Sequence, residues 1–394
     1  MRNINGKIRI LHVISDTYSF TGPANSLLAL TDHLPRNRYD AYVALREPGS
    51  LSSDLEARKE KYFFLSLPKP SGLNALRFIL NLPLAIQRLV RFIAQHRIDL
   101  IHVHQSVSVW GLIAGKLAGI PVVLHVREIL ENRLFYKMLF ALSSQTIAIS
   151  NAVRACLIRN VPNCSERRIS VVYNAADLTH FHPKKSDGKE LRAEWGIPEN
   201  ARLVLMVSKL IEIKGHLDFV KSCALSRKRF PDAVFMIVGG DMPGHEAYAE
   251  KVRQAVHEHL LEDVFHFAGF QRDVERFLGA ADVVVQPSTC EEGLGRVAIE
   301  AMAMEKPVVA TQAGGLPEVV RDGITGYIVP KNDPETLASR ITKLLEDPKL
   351  CAKMGKAGRA IAHQQFGVPE HVASVAGIYD KLMRGKNKGR RVSQ

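Results

Sequence analysis

Short runs of β-branched and other apolar residues alternate with amphipathic stretches over nearly the whole chain of 394 residues. The short runs predict strands buried on both faces, and the stretches between them predict helices that cover a parallel sheet. In the first half the predicted strands are KIRILHVIS, YDAYVAL, IDLIHVH, PVVLHV and SQTIAIS. In the second half they are RLVLMVS, AVFMIVG, VFHFAG, ADVVVQPS, KPVVATQ and GYIVP. The pattern therefore predicts an α/β protein with two Rossmann-like units in tandem.

The regular pattern stops between residues 181 and 200, in FHPKKSDGKELRAEWGIPEN, where charged residues, glycine and proline accumulate. We therefore expect an amino-terminal domain over residues 1–182 and a carboxy-terminal domain over residues 183–367. Ligands of parallel α/β sheets bind at the carboxyl ends of the strands. Two such domains facing each other would enclose a cleft.

Charge and cysteine content narrow the class of protein. The formal net charge of +13 predicts attraction to something acidic, such as a phosphorylated substrate, an anionic membrane surface or nucleic acid. Nucleic acid is disfavoured because the sequence has no RNP-type aromatic motif and no Cys/His finger. The five cysteines are scattered and never spaced as C-x-x-C, which favours a reducing compartment without structural zinc.

The sequence shows neither a signal-like amino-terminal region nor an apolar run of membrane-spanning length. We therefore expect a cytoplasmic protein, free or peripheral on the inner face of a membrane.

The stretch EEGLGRVAIEAMA, residues 291–303, places glycines and carboxylates at the start of a predicted helix. Gly293 and Gly295 would let the backbone approach a ligand, and the first turn of a helix offers unpaired N–H groups with partial positive charge. This combination predicts an anion cradle. Glu292 and Glu300 would repel the anion itself, so we expect them to bind hydroxyl groups of the molecule that carries it. The pattern indicates a sugar nucleotide.

This stretch resembles the signature of the retaining nucleotide-sugar glycosyltransferases of the GT-B fold, glycosyltransferase family 4, also called glycosyl transferases group 1. Glu292 and Glu300, with seven residues between them, match the E-x7-E motif of that family. The resemblance implies that Glu292 lies at the hydroxyls of the donor sugar and that Glu300 binds the ribose hydroxyls. It also implies that the backbone at Gly293, Leu294 and Gly295 faces the diphosphate or the sugar.

A second motif, VSKLIEIKGH at residues 207–216, places Lys209 and Lys214 in the loop after a predicted strand. Two ammonium groups suit a pyrophosphate whose charge grows as it leaves. The family usually has Gly-Arg and then Lys-Gly here, whereas this chain has Ser208-Lys209 and then Lys214-Gly215. The lysine in place of arginine keeps the charge and loses the bidentate fork. The resemblance implies that both lysines stabilise the leaving phosphate.

The first domain contributes two further candidates and one pair of histidines. In DTYSFTGPANSLLAL, Gly22 lies where the family commonly has two glycines that meet acceptor and donor phosphate, and Pro23 replaces the second. His125 ends the strand PVVLHV, and the resemblance places it near the donor sugar.

We interpret His102 and His104 in LIHVHQS as alternating along a strand and pointing to opposite faces, which argues against a shared metal site. Since no Asp-x-Asp follows a strand, we expect no metal and no other cofactor.

The resemblance implies a metal-independent hexosyltransferase. Such an enzyme moves a hexosyl group from a nucleoside-diphosphate sugar to an acceptor hydroxyl with retention, by attack on the face that the phosphate leaves. FGVPEHVASVAGIYDKLM resembles the last helix of the family, so a crossover helix at about residues 368–394 is assigned to the first domain. A non-catalytic nucleotide-sugar-binding subunit and a sugar-nucleotide epimerase remain as alternatives, and the E-x7-E spacing argues against the epimerase. A dehydrogenase is disfavoured because no G-x-G-x-x-G follows the first strand.

The stretch ALRFILNLPLAIQRLVRFIAQHR, residues 75–97, bears on the acceptor. It mixes Leu, Ile and Phe with arginines, which is typical of a helix at a membrane interface. The same pattern is also typical of a helix packed on the core, with Pro83 marking a break. Together with the basic charge, the first interpretation favours a lipid-linked or cell-envelope glycan acceptor.

Overall fold

The computed structural model describes residues 6–19, 21–69, 74–186 and 188–392, and from residue 386 onward it describes the backbone alone. The chain divides into two compact units. Unit 1 consists of Met1–Asn174 and Val368–Gln394, and unit 2 consists of Ala175–Gly367. The sequence predicts an amino-terminal acceptor domain that ends at residue 182 and a carboxy-terminal donor domain that ends at residue 367. Which domain binds the acceptor and which binds the donor stays a prediction.

Unit 1 is built on a sheet of seven parallel strands in the order β3-β2-β1-β4-β5-β6-β7. The strands are β1 Ile8–Ile14, β2 Tyr39–Leu45, β3 Lys61–Phe64, β4 Leu100–Val103, β5 Val122–Val126, β6 Gln145–Ala148 and β7 Ile169–Val171. The helices are α1 Gly22–His33, α2 Ser50–Ala57, α3 Asn74–His96, α4 Val109–Leu117, α5 Arg133–Leu142 and α6 Asn151–Asn160. The strand order reverses between β1 and β4, so ligands of this sheet are expected at the carboxyl ends of those two strands.

Unit 2 repeats the plan with six parallel strands in the order β10-β9-β8-β11-β12-β13. The strands are β8 Leu203–Val207, β9 Val234–Val238, β10 Phe265–Phe267, β11 Val283–Gln286, β12 Val308–Thr311 and β13 Gly326–Val329. The helices are α7 Lys189–Glu194, α8 His216–Arg227, α9 Glu246–Glu258, α10 Val274–Ala280, α11 Arg296–Ala303, α12 Leu316–Val319, α13 Pro334–Glu346 and α14 Pro348–Gln365. The prediction of two parallel Rossmann-like sheets is confirmed.

The central strands are apolar almost throughout because helices cover both faces of each sheet. Every residue of β9, with the sequence VFMIV, is buried. The last helix, α15 Val368–Val392, belongs to unit 1 and places Val372, Val375 and Tyr379 in the same core cluster as Ile10 of β1. Its apolar residues therefore stabilise a sheet whose first strand lies near the other end of the chain.

Two helices bear on the sequence interpretations. Thr21 caps α1, accepting a bond from the Ala24 N–H at 3.3 Å, and Pro23 lies in the first turn, where its missing N–H costs nothing. Helix α3 runs unbroken from Asn74 to His96 with Pro83 inside it, so the expected break at that proline is not observed. Within the ranges that the structure describes, none of the helices has the length and apolar character needed to cross a bilayer.

Candidate active site

The centre of the candidate site in unit 2 is an ion pair between two residues predicted from sequence. The Nζ atom of Lys214 lies 2.5 Å from Oε1 of Glu292, and the Ser288 hydroxyl donates to the same oxygen at 2.6 Å. Lys214 lies in the loop after β8, and Glu292 and Ser288 lie in the loop after β11. Both side chains of the ion pair are mostly buried, with 23% and 16% of their surface exposed. The fold thus brings an ammonium and a carboxylate together at the carboxyl ends of two adjacent strands, where α/β sheets bind ligands.

The loop that carries Lys214 is held directly against the loop after β11. Gly215 has a φ of +76°, and a Cβ atom at this position would lie 1.9 Å from the carbonyl oxygen of Pro287. The Thr289 N–H also donates to the carbonyl of Ile213 at 3.0 Å. Only glycine allows this close approach, so the Lys-Gly pair fixes the position of the ammonium group.

A second glycine turn, after β12, supports the backbone of Glu292. A Cβ atom at Gly314, which has a φ of +53°, would lie 2.0 Å from the Glu292 carbonyl oxygen. The Gly315 N–H donates to that same oxygen at 2.8 Å, and the Gly314 N–H donates to the Glu291 carboxylate at 2.5 Å. The second turn therefore acts on the site by holding Glu292.

The residues between Glu292 and α11 differ in what they can offer a ligand. Gly293 is partly exposed, whereas the Leu294 side chain is buried, so Leu294 can contribute only its backbone. Gly295 is buried with a φ of +103°, and a Cβ there would lie 2.4 Å from Cδ2 of Leu316. The missing side chain at Gly295 therefore serves the packing of α11 against α12.

Glu300 lies on α11 and is buried, with 8% of its side chain exposed. Burial raises the pKa of this carboxyl group, and the charge of Arg296 counteracts the rise. The Nε atom of Arg296 lies 3.0 Å from Glu300 Oε1, one helical turn away. His180 and Glu275, which lie 3.2 Å apart through Nε2 and Oε2, also act on the charge of Glu300.

Lys209, the other predicted cation, follows β8 and is exposed. In the part of the chain that the structure describes, its side chain has no hydrogen-bonding or ion-pair partner, and it does not join the pair formed by Lys214 and Glu292. The role assigned to it remains a prediction.

In unit 1, His125 ends β5 and is completely buried. Its Nδ1 atom accepts a bond from the Arg127 guanidinium at 3.1 Å. Burial, followed by the charge of Arg127, lowers the pKa of His125 well below its ordinary value, so the imidazole is neutral at pH 7. Gly22 begins α1 with no atom within 4 Å of the position of a Cβ, so this glycine is not required by packing in unit 1.

The sequence interpretation missed the importance of Arg127. Its guanidinium donates to the carbonyl of His104 at 3.1 Å, to Asn174 Oδ1 at 2.5 Å and to His125. Burial lowers the pKa of Arg127 to about 9, which Glu128 and Asp16 partly counteract. A charged residue directly after a buried strand was the available signal, because a buried cation needs several acceptors to offset its desolvation.

The expectation that His102 and His104 point to opposite faces is wrong, because residues two apart in a strand share a face. Their rings stack with centroids 4.1 Å apart, and His104 Nε2 lies 3.0 Å from His12 Nδ1 on the neighbouring strand. These three imidazoles present nitrogen atoms within 4.8 Å of one another, which meets the spacing of a metal site. However, the charge of Arg127 acts on both His102 and His104 and opposes a second cation. The Nδ1 of His102 is also bound to the hydroxyl of Tyr379 at 2.6 Å. Metal independence therefore stays a prediction.

Comparisons with known proteins show the family of this chain. The family model described as glycosyl transferases group 1 matches residues 187–361, and the model described as glycosyltransferase family 4 matches residues 20–180. The UDP-Gal:alpha-D-GlcNAc-diphosphoundecaprenol alpha-1,3-galactosyltransferase of Escherichia coli is 25% identical over 402 residues, covering 98% of this chain and all of that protein. The N-acetyl-alpha-D-glucosaminyl L-malate synthase of Bacillus anthracis is 28% identical, covering 75% of this chain and 78% of that protein.

Solved structures show the same fold. Anabaena Alr3699/HepE in complex with UDP matches with a TM-score of 0.83 and 26% identity, covering 95% of this chain and all of that chain. The same protein in complex with UDP-glucose matches with a TM-score of 0.81. Family models match both units, and the fold is that of the GT-B glycosyltransferases. This chain therefore belongs to glycosyltransferase family 4, the glycosyl transferases group 1.

Proposed function

We propose that this glycosyltransferase moves a hexosyl group from a nucleoside-diphosphate sugar to an acceptor hydroxyl, with retention at the anomeric carbon and without a metal ion. The observation that carries the proposal is the contact of Lys214 with Glu292 at 2.5 Å, at the ends of β8 and β11. A cation for a leaving phosphate and an acceptor for sugar hydroxyls are thereby fixed side by side.

Lys214 stabilises the charge that develops on the departing phosphate. An ammonium group has three N–H donors, and the bond to Glu292 uses one of them, so donors remain for phosphate oxygens. Because the loop geometry fixes the ammonium before the donor arrives, no reorganisation is needed as charge develops. One preorganised donor of this kind supplies roughly 3–4 kcal/mol of transition-state stabilisation.

Glu292 and Glu300 hold the two sugars of the donor. An ionised carboxylate only accepts hydrogen bonds, so both residues suit hydroxyl groups rather than phosphate. Glu292, oriented by Lys214 and Ser288, binds hydroxyls of the transferred sugar. Glu300, bound through Oε1 by Arg296, accepts from the ribose hydroxyls with its other oxygen.

The proposed chemical step uses these groups. The bond from the anomeric carbon to the diphosphate stretches toward an oxocarbenium-like state. The acceptor oxygen then bonds to the anomeric carbon from the face that the phosphate leaves, and the phosphate takes the acceptor proton. Lys209, the backbone at Gly293 and Gly22 are proposed to contact the diphosphate as well. The neutral imidazole of His125 is proposed to hydrogen-bond a sugar hydroxyl.

The relatives guide the choice of substrates to test. The Escherichia coli relative is named for UDP-Gal and for a diphosphoundecaprenol acceptor, and the Anabaena structure holds UDP-glucose. We therefore infer a uridine diphosphate sugar as donor and a lipid-linked glycan of the cell envelope as acceptor, used on the cytoplasmic side.

A thermal-shift panel of UDP, GDP, ADP and CMP with excess EDTA tests the proposal. A ligand at about 100 times its dissociation constant stabilises a protein by about 2.7 kcal/mol. We expect a shift with UDP alone, lost in Glu300→Ala and retained in Glu250→Ala, which removes an exposed glutamate of α9 in the same unit.

The same samples, given UDP-hexoses and a lipid-linked acceptor, should release UDP. Binding of UDP without UDP release from any hexose donor would favour a non-catalytic subunit. Loss of turnover on addition of EDTA would contradict metal independence.

A further inference from the structure

The amino-terminal half of α3 lies outside the core of unit 1. In residues 74–84 none of the side chains is buried, whereas Ala85, Leu89 and Ile93 of the second half are buried. The second half packs through Phe92, whose ring stacks on Phe63 of β3 at 4.1 Å. The first half contacts the rest of unit 1 through Phe78, whose ring meets the buried Trp110 of α4 edge-on, with centroids 5.9 Å apart.

The exposed half nevertheless carries large apolar side chains on one face. Leu76, Ile79, Leu80 and Leu84 are 65%, 62%, 65% and 54% exposed. They recur at spacings of three and four residues, which places them on one side of the helix. Exposed apolar groups scattered singly are ordinary, but an aligned row is typical of a surface that meets a partner or a membrane.

The charges around this row favour an anionic surface. Between Glu60 and Asp99 the sequence has no acidic residue. Arg77 lies beside the row, about 100° around the helix from Leu76, and Arg91 lies in line with the row, about two turns beyond Leu84. Among the residues that the structure describes, neither arginine has an ion-pair partner, so both charges are available to phosphate groups.

A second helix shows the same pattern at the same edge of the sheet. Helices α3 and α5 both begin after a strand of the parallel sheet, so their first turns lie at its carboxyl edge. Leu134, in the first turn of α5, is 80% exposed and follows Arg133. No acidic residue occurs between Glu131 and Glu166.

We propose that the exposed face of α3, formed by Leu76, Ile79, Leu80 and Leu84 together with Arg77 and Arg91, docks the protein on a bilayer surface rich in anionic lipid. The leucines and the isoleucine enter the boundary between headgroups and acyl chains, and the arginines bind lipid phosphates. This is shallow peripheral attachment, because the apolar row is limited to one face of the helix. None of these residues belongs to the donor site in unit 2, so this proposal is independent of the reaction.

Co-sedimentation of the whole protein with lipid vesicles tests the docking surface. We expect binding to vesicles with about one third phosphatidylglycerol at low salt, and much weaker binding to phosphatidylcholine alone or at about 0.5 M salt. Double replacement of Ile79 and Leu80 by Ser should lower the partition coefficient at least tenfold. Each of Arg77→Gln and Arg91→Gln should lower it about fivefold on anionic vesicles.

Leu117→Ser is the matched control. Leu117 is 68% exposed in the same unit, but it ends α4 and therefore lies at the opposite edge of the sheet. Its replacement should leave vesicle binding unchanged, and circular dichroism should show the same helix content in every variant. The proposal fails if the protein does not bind anionic vesicles at low salt, or if Leu117→Ser weakens binding as much as the α3 variant. It also fails if sedimentation shows a dimer that the α3 variant dissociates, because that face would then join two copies of the chain.

Discussion

At the scale of single residues, the contact between Lys214 and Glu292 joins positions 78 residues apart in the sequence. Residue types together with the family resemblance selected both, since a lysine after one strand and a glutamate before a glycine loop suit a sugar nucleotide. Their contact itself could not be predicted, because it depends on β8 and β11 lying side by side. The same is true of Arg127, whose bonds to His125 and Asn174 form only when the strand ends are assembled.

Lys214→Ala should lower the turnover number by about a hundred- to a thousandfold, because the leaving phosphate loses a preorganised donor. Release of the nucleoside diphosphate, followed at saturating donor, measures the effect. Lys221→Ala is the matched control, because Lys221 is exposed on α8 in the same unit. Equal activity of the two variants would show that Lys214 does not act on the reaction.

At the scale of elements, the sequence leaves the role of the glycine turns open, and the structure assigns it. Glycine after a strand predicts a tight turn or an anion cradle, and the sequence does not distinguish the two. In the structure Gly315 donates its N–H to the Glu292 carbonyl, and Gly295 accommodates Leu316. These glycines position the loop that carries Glu292. The edge strands β3 and β7, of four and three residues, were not predicted from sequence.

Gly314→Ala should destabilise unit 2 and weaken donor binding. The residue has a φ of +53°, and a Cβ there would lie 2.0 Å from the Glu292 carbonyl oxygen. Gly323→Ala is the control, since Gly323 has a φ of +70° and nothing lies within 4 Å of a Cβ. The backbone strain of about 1–2 kcal/mol is common to both variants, and the clash should add about 1–3 kcal/mol in Gly314→Ala alone.

Thermal unfolding and nucleotide titration separate these effects. Gly323→Ala should lose stability and keep its affinity for the nucleotide, whereas Gly314→Ala should lose both. If the two variants behave alike, the second glycine turn does not hold Glu292 in the way that we describe.

At the scale of the whole molecule, both units bury histidines that stay neutral. Burial lowers the pKa of His12 to about 3 and that of His216 and His371 to about 4. His371, on α15, is bonded to Ser26 and to the carbonyl of Tyr173, so it joins the last helix to the first part of the chain. The folded protein therefore binds protons at these histidines more weakly than the unfolded chain does.

Stability should consequently fall as the pH falls below about 6.5. A group whose pKa is lowered by folding contributes its full stability above the unfolded value and loses it as the pH falls toward the folded value. For a histidine with a folded pKa of about 4, this loss is about 2 kcal/mol at pH 5. Calorimetric unfolding at pH 7.5 and pH 5 measures it.

His371→Asn should reduce the pH dependence in unit 1. A melting temperature independent of pH between these values would show that the buried histidines are not titrated by unfolding.

The sequence by itself determined the class of fold, the number of sheets and the family motif around Glu292 and Glu300. These features are local in the chain: strand periodicity, glycine turns and the spacing of two carboxylates in one segment. Tertiary structure alone decided that Lys214 reaches Glu292, that Arg127 is a partly buried cation among neutral acceptors, and that one face of the first half of α3 is left exposed. Each of these depends on which strands and helices are neighbours, and tertiary packing rather than the local sequence decides which elements meet.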